Sequence, residues 1–305
     1  MKKKRKLGAL YFTGLDIVDD DIVVLTGHYY ALENTDDERT AFLSFNKGVW
    51  GSLNVSGISH AIRFKPGSKT IKRECLLLER NRGLYRIATA TDVKFERIAE
   101  KRDGFLMDLR QIAGHWYAVG GHHQVHVEQN GHWTPFDNGI YVPGEAGEAK
   151  ILLGIDGLSQ DDIYAVGLNG VIFHYDGVSW KLMDSPTNLG LQRVLCINKD
   201  EVYLCGNGNG LYRGSKNTWV PLTDPDKSVT FWDMESFQGE VYACTKEALF
   251  KIKNDQLSKV DIPLDGPLAF YRMASNKSQL WACGNECLLR YDGKRWKQYA
   301  FIDNQ

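Results

Sequence analysis

The sequence predicts an all-β fold, a seven-bladed β-propeller of four-stranded antiparallel blades, and three observations carry that prediction. An apolar strand motif closing on glycine recurs at a fixed period, and a tryptophan follows it at a second fixed distance. No stretch carries apolar residues at helical spacing over about 11 positions, which removes the helical solenoids.

The clearest copy of the motif runs from Asp162 to Trp180: a strand ending Tyr164-Ala-Val-Gly167, an Asn169-Gly170 turn, a second strand, an Asp176-Gly177 turn and a third strand opening with Trp180. Upstream, Ile22–Gly27 and Cys75–Glu79 are weaker copies and Trp116–Gly120 is a close one. Downstream come Val202–Gly206, Val241–Thr245 and Leu280–Gly284, so the anchor positions 167, 206, 245 and 284 are each 39 residues apart. Tryptophan follows the anchor glycine by 13 residues at Trp133, Trp180 and Trp219, and by 12 at Trp296. The first unit reaches Trp50 only after an insertion around Glu33–Thr40, and the second and sixth units lack the residue. Two coincident periods over units of roughly 40 residues, each reading as four short strands, have the size of propeller blades. A single domain is expected over residues 1–305, with residues 1–7 a basic terminus. The ring is expected to close by packing whole first and last blades, or by residues 7–12 adding an outer strand to the last.

Blade boundaries are expected near Leu53–Gly57, Ile98–Asp103, Thr134–Ala149, Asp184–Gly190, Asp224–Ser228 and Pro263–Pro267. The longest linker, Asp137–Ala149, reads as a functional or mobile surface loop. Three of the six cysteines, Cys205, Cys244 and Cys283, occupy the strand position where Val119 and Val166 stand in earlier units. Residues interchangeable with valine there read as buried, reduced thiols, and a cytoplasmic location follows as the expectation.

The pattern Tyr-Ala-Val-Gly-x-x-Gly-x-Ile-x-x-Tyr-Asp-Gly-x-x-Trp resembles the bacterial propellers grouped with sialidase-like (BNR) and photosystem-assembly-factor repeats. The resemblance covers nearly the whole chain and implies the fold; the group mixes enzymes, lectins and assembly factors. Asp176-Gly177-Val178-Ser179-Trp180 departs from the sialidase Asp-box, lacking the residue between Asp and Gly and the preceding Ser or Thr. Sialidase chemistry is therefore not carried over.

Loops between second and third strands, together with those between blades, should share one face. That face would hold His122, His123, Asn169, Asn207–Asn209, Lys246, Glu247, Asn285 and Glu286. Aligning units on the aromatic residue of each anchor places Met107, Arg193, Trp232 and Tyr271 at one position of the inner strands. Asp108, Val194, Asp233 and Arg272 fall at the next. Large aromatics and an arginine at a ring mouth suit binding anchors as well as packing between blades. Asp233 and Arg272 are expected to form an ion pair between adjacent blades. Candidate binding residues are thus Arg193, Trp232, Tyr271, Arg272, Asp233, Met107, Asp108, His122 and His123.

Five of the eight histidines fall between 115 and 132, but His122 and His126 lie too far apart on one strand to share a metal, and no completing acid or thiol is close in sequence. No metal, cofactor or catalytic constellation is expected, since no phosphate loop, nucleophile elbow or His-Glu-x-x-His motif occurs. A formal net charge of −1 gives no global attraction to nucleic acid, and no apolar run reaches bilayer length. Lys2–Lys6 could imitate a signal peptide, but the following apolar run is short and broken by Asp16 and Asp19–Asp21. The expectation is a monomeric, non-enzymatic protein that binds another protein, as a scaffold, an assembly factor or an immunity-like inhibitor. The alternative is an enzyme acting on a glycan or small molecule with Asp108, Asp233, Arg193 and Arg272. Carbohydrate binding by repeated pockets is disfavoured, because the linkers differ in length and composition.

Overall fold

A computed structural model describes residues 8–68, 72–98, 104–144, 150–224, 228–264 and 268–301, which form seven four-stranded antiparallel sheets in a ring. The basic cluster Lys2–Lys6 lies outside the described residues. The inner strands are Leu10–Asp19, Ser59–Lys65, Leu106–Ile112, Leu152–Ser159, Leu191–Asn198, Phe231–Phe237 and Arg272–Ser275. Each pairs with the strand bearing the anchor motif.

The anchor strands are enclosed by blades on both faces, so they read as unbroken apolar runs: Ile163–Gly167 and Val202–Gly206 are buried throughout. Inner strands alternate instead. Leu15, Ile62, Leu109, Ile155, Val194, Met234 and Met273 are all buried, while polar and charged residues flank them.

The anchor glycine has a steric cause. A Cβ on Gly167 would stand 1.9 Å from the Ile151 carbonyl oxygen, and one on Gly206 would stand 2.1 Å from that of Gly190. Those carbonyls accept hydrogen bonds from Leu168 and Asn207, which stitch the turn after the anchor onto the inner strand. In the sixth blade Thr245 replaces the glycine, and its hydroxyl accepts from the Ala248 amide at 3.2 Å. The Asp-Gly turn is equally local: Asp176 Oδ1 accepts from the amides of Val178 and Ser179, and Asp292 Oδ1 from those of Lys294 and Arg295.

The repeated tryptophans stand at one register of the outer strands, opposite Glu128, Tyr175, Gly214 and Tyr291 for Trp133, Trp180, Trp219 and Trp296. Trp50 faces Phe45 at the matching position of the first blade, whereas Val93 and Leu257 stand there in the second and sixth. The indole N–H groups of Trp50, Trp133, Trp180 and Trp219 tie neighbouring blades together. Trp180 donates to Phe136 O at 2.6 Å and Trp219 to Asp184 O at 3.1 Å, each on the segment leaving the preceding blade. Trp50 donates to Ala300 O at 3.0 Å in the same way, stacks on Phe12 and meets Phe301 edge to face. Ring closure therefore repeats the ordinary contact between blades, and among the described residues no strand is shared. Leu10–Phe12 belong to the first inner strand, joined to the last blade by Phe12 N→Asn285 O at 2.8 Å.

Two linkers differ from expectation. The first, expected near Leu53–Gly57, is confined to the end of that range: the fourth strand of blade one continues to Ser56, because it pairs along its whole length with Arg39–Asn46. The start of the Asp137–Ala149 linker is packed rather than free: Asp137 and Ile140 are buried, and Asp137 Oδ2 accepts from the Val125 amide. Residues 145–149 of it lie outside the described residues. All six cysteines are free, and Cys205, Cys244 and Cys283 are fully buried.

Candidate binding site at the mouth of the ring

The hydrogen-bond register corrects one alignment made from sequence. Asp108, Arg193, Asp233 and Arg272 pair with Val119, Cys205, Cys244 and Cys283, the residues just before the anchor position. Arg193 thus stands level with Asp108, Asp233 and Arg272, and Gly14, Ala61 and Gly154 complete the level. Met107, Trp232 and Tyr271 lie one step outward, where Gln192 is their counterpart in the fifth blade. The cause is a second β-bulge between Cys196 and Asn198, which lengthens that hairpin by one residue.

This level and the one below it carry a charged network. Arg63 pairs with Asp108 at 3.2 Å, and Arg193 lies 3.4 Å from Asp233 and 3.6 Å from Asp108. Arg110 pairs with Asp156 at 3.3 Å and reaches Glu235 of the sixth blade at 3.8 Å. The carboxylates also accept backbone amides of the following blade: Asp16 from Phe64, Asp108 from Ile155, Asp156 from Cys196 and Asp233 from Met273. Burial works to raise the Asp108 pKa, but Arg193, Arg63 and Arg110 together outweigh it and hold the group below its ordinary value. Glu235 goes the other way, pushed up to about 7 by burial, with Arg110 only partly offsetting it.

The ion pair expected between Asp233 and Arg272 does not form. Asp233 is occupied by Arg193 and by the amides of Met234 and Met273, at 3.0 and 2.9 Å. Arg272 instead turns outward and donates to Tyr271 O at 2.7 Å. Burial first, and then the like charge of Arg193, lower its pKa.

Above Arg272 a cavity of about 460 Å³ opens at the mouth, lined by Trp232, Tyr271, Arg272 and Asn285 and, from the first two blades, by Tyr11, Phe12, Thr13, His28, Glu33 and Ser59. Trp232 and Tyr271 meet edge to face with centroids 5.6 Å apart, and Trp232 also packs on the core between blades six and seven. Tyr271 lies over Gly284, where a Cβ would come within 2.8 Å of its ring. On the opposite wall Tyr11 contacts Tyr30, and burial and the neighbouring Glu33 carboxylate raise its pKa. A second cavity of about 410 Å³ continues past Tyr11, His28 and Glu33 toward Arg39.

Of the residues singled out by sequence, Trp232, Tyr271 and Arg272 come together in this cavity. Asp108, Arg193 and Asp233 belong to the charged network beneath it. Met107 is partly buried at the bulge position of the third blade. His122 and His123 sit in the third blade's turn, against the linker to the fourth: His122 Nδ1 bonds Val142 O at 3.0 Å, and the His123 amide bonds Lys150 O. Neither lines the mouth cavity. Burial, then Lys150, lower the His123 pKa. Among the described residues no group of three or more His, Cys, Asp or Glu is placed to hold a metal ion. Tyr11, His28 and Glu33 escaped the sequence reading, although the Glu33–Thr40 insertion marked the blade that supplies them.

Fold and site together define a seven-bladed propeller whose centre is filled by ion pairs and whose mouth holds an aromatic-walled cavity. No protein-family model matches the chain. A curated protein of Pseudomonas aeruginosa, Immune protein Tsi7, is 29% identical over 195 residues. The match spans 63% of this chain and 63% of that relative's length. Among solved structures, YCF48 from Cyanidioschyzon merolae superposes with a TM-score of 0.68 at 12% identity, covering 96% of each chain. YCF48 bound to D1 peptide gives 0.65 at 13% identity, and the WD40 propeller domain of Doa1 gives 0.64 at 12%, each covering 93% of this chain and 92% of the other. At such identity the structural likenesses are likenesses of fold.

Proposed function

We propose that this chain is an immunity-type protein that binds another protein with the mouth and loop face of its propeller and carries out no chemistry of its own. The observation that carries the reading is the 29% identity, over 195 residues of the repeat, to a protein named as an immune protein. The site agrees with it. Asp108 and Asp233, the carboxylates an enzyme at the mouth would use, are spent on arginines and backbone amides. What the mouth leaves available is Trp232, Tyr271 and Arg272, the residue types that anchor protein interfaces. Six thiols without a disulfide fit a reducing compartment, and we place the protein, monomeric by itself, in the cytoplasm.

The test is affinity purification from the native host, identification of the protein that co-elutes, and expression of that protein alone and with this chain. The reading expects a stoichiometric partner that is toxic alone and harmless when co-expressed. A stable partner with no toxicity would make the chain an assembly factor or scaffold, and turnover of a glycan or small molecule at the mouth would restore the enzyme reading.

A further inference from the structure

Three of the four arginines around the channel are matched by carboxylates: Arg63 by Asp108, Arg110 by Asp156 and Glu235, and Arg193 by Asp233 and Asp108. Arg272 is the exception, making no ion pair with any described residue. A guanidinium has five N–H donors, and the bond from Nη1 to Tyr271 O uses one of them. The group is partly buried, lies near the cation of Arg193, and faces the mouth cavity. Partly desolvated cations are ordinarily paired, and no described residue brings a carboxylate within ion-pair distance of this one, Asp233 and Asp108 acting on it only from farther off.

We propose that the cavity receives an aspartate or glutamate side chain of the partner protein, its carboxylate forked onto Arg272 and its stem lying against Trp232 and Tyr271. The proposal rests on the protein-binding reading above and names the chemistry that reading requires at the mouth. One cation without an ion pair suits a single negative charge, and the Glu33 carboxylate on the rim, which repels any anion, opposes a phosphate dianion more strongly than one carboxylate. The neighbouring main chain is already paired: Asn285 O accepts from Phe12, Tyr271 O from Arg272, and the Ser59 amide donates to Thr40 Oγ1. A peptide backbone therefore finds few partners there, whereas a side chain finds a charged fork between aromatic walls.

The test titrates the whole protein with the peptide acetyl-Gly-Glu-Gly-amide, its Gln twin, acetyl-triglycine with a free terminal carboxylate, and inorganic phosphate, by calorimetry. The glutamate peptide should bind saturably at roughly millimolar concentration, with the Gln twin and the Arg272→Gln variant at least about tenfold weaker. Arg272→Lys should recover part of the binding, and Arg272→Gln should melt no lower than the parent, since it removes a repelling charge rather than an ion pair. Equal binding of the Glu and Gln peptides, no saturable binding of the former, or a melting point lowered in Arg272→Gln would overturn the proposal. Tighter binding of phosphate or of the free terminus would overturn it as well. A captured partner that binds Arg272→Gln at full strength would remove this inference and leave the protein-binding function standing. Glutamate-peptide binding in a protein with no macromolecular partner would do the reverse.

Discussion

At the scale of the residue, each repeated side chain has an identifiable task. Cys244 shows it most simply: it is fully buried against Phe237, Leu249 and Phe270, and burial raises its thiol pKa, so the sulfur behaves as a small hydrophobe. A thiol reagent should leave Cys205, Cys244 and Cys283 unmodified in the native protein and react with them after denaturation. Cys244→Ser should cost on the order of 1–3 kcal/mol in urea unfolding, because the new hydroxyl has no partner there. Arg193 and Trp232 should separate cleanly. Arg193→Ala leaves Asp233 and Asp108 short of a countercharge and should destabilise the fold by about 3 kcal/mol. Trp232→Ala should instead leave a cooperative, folded protein whose affinity for the partner falls about thirtyfold, roughly 2 kcal/mol. Undiminished binding by folded Trp232→Ala would reduce the mouth to packing and shift attention to the outer rim.

At the scale of the element, what was legible in sequence is what the blade dictates locally. The anchor strand, its glycine and the outer-strand tryptophan recur because backbone approach and contact between blades recur with them. Gly167→Ala tests that cause: its Cβ would meet the Ile151 carbonyl, and relief by backbone movement should cost about 1–3 kcal/mol, measured as a lower denaturation midpoint. A normal midpoint would mean that the glycine serves the turn alone. What sequence could not show was strand register. Spacing between anchor and inner strand is constant only where the hairpin is regular, and bulges at Ile17–Asp19, Gly157–Ser159 and Cys196–Asn198 each insert a residue without a distinctive side chain. The displaced level of Arg193 and the misplaced ion pair of Arg272 both follow from that one-residue slip. The mouth was half legible for a related reason: Trp232 and Tyr271 stand out in the repeat, whereas Tyr11 and Glu33 reach them only once the ring closes.

At the scale of the whole molecule, the ring is held at its rim by contacts between neighbours and across its centre by charge. The pair between Arg110 of the third blade and Glu235 of the sixth spans the channel at 3.8 Å. The groups facing Glu235 are Arg110, Asp233 and Arg63, together with the Ser275 hydroxyl, which donates to Glu235 Oε2 at 3.1 Å. Burial lifts the Glu235 pKa from the ordinary 4.5 to about 7, while Arg110 recovers only part of that cost. Between those two values the folded chain binds a proton that the unfolded chain has released. The contribution of this group to stability therefore falls as pH rises through the window, and it is most favourable below pH 4.5. Glu235→Gln keeps the acceptor for Ser275 and removes the titration. It should match the parent in urea unfolding at pH 4.5 and exceed it by on the order of 1–3 kcal/mol at pH 8. A variant less stable than the parent at pH 8 would show that the bond to Arg110 outweighs the desolvation, and that the cross-channel pair is a net clamp on the ring.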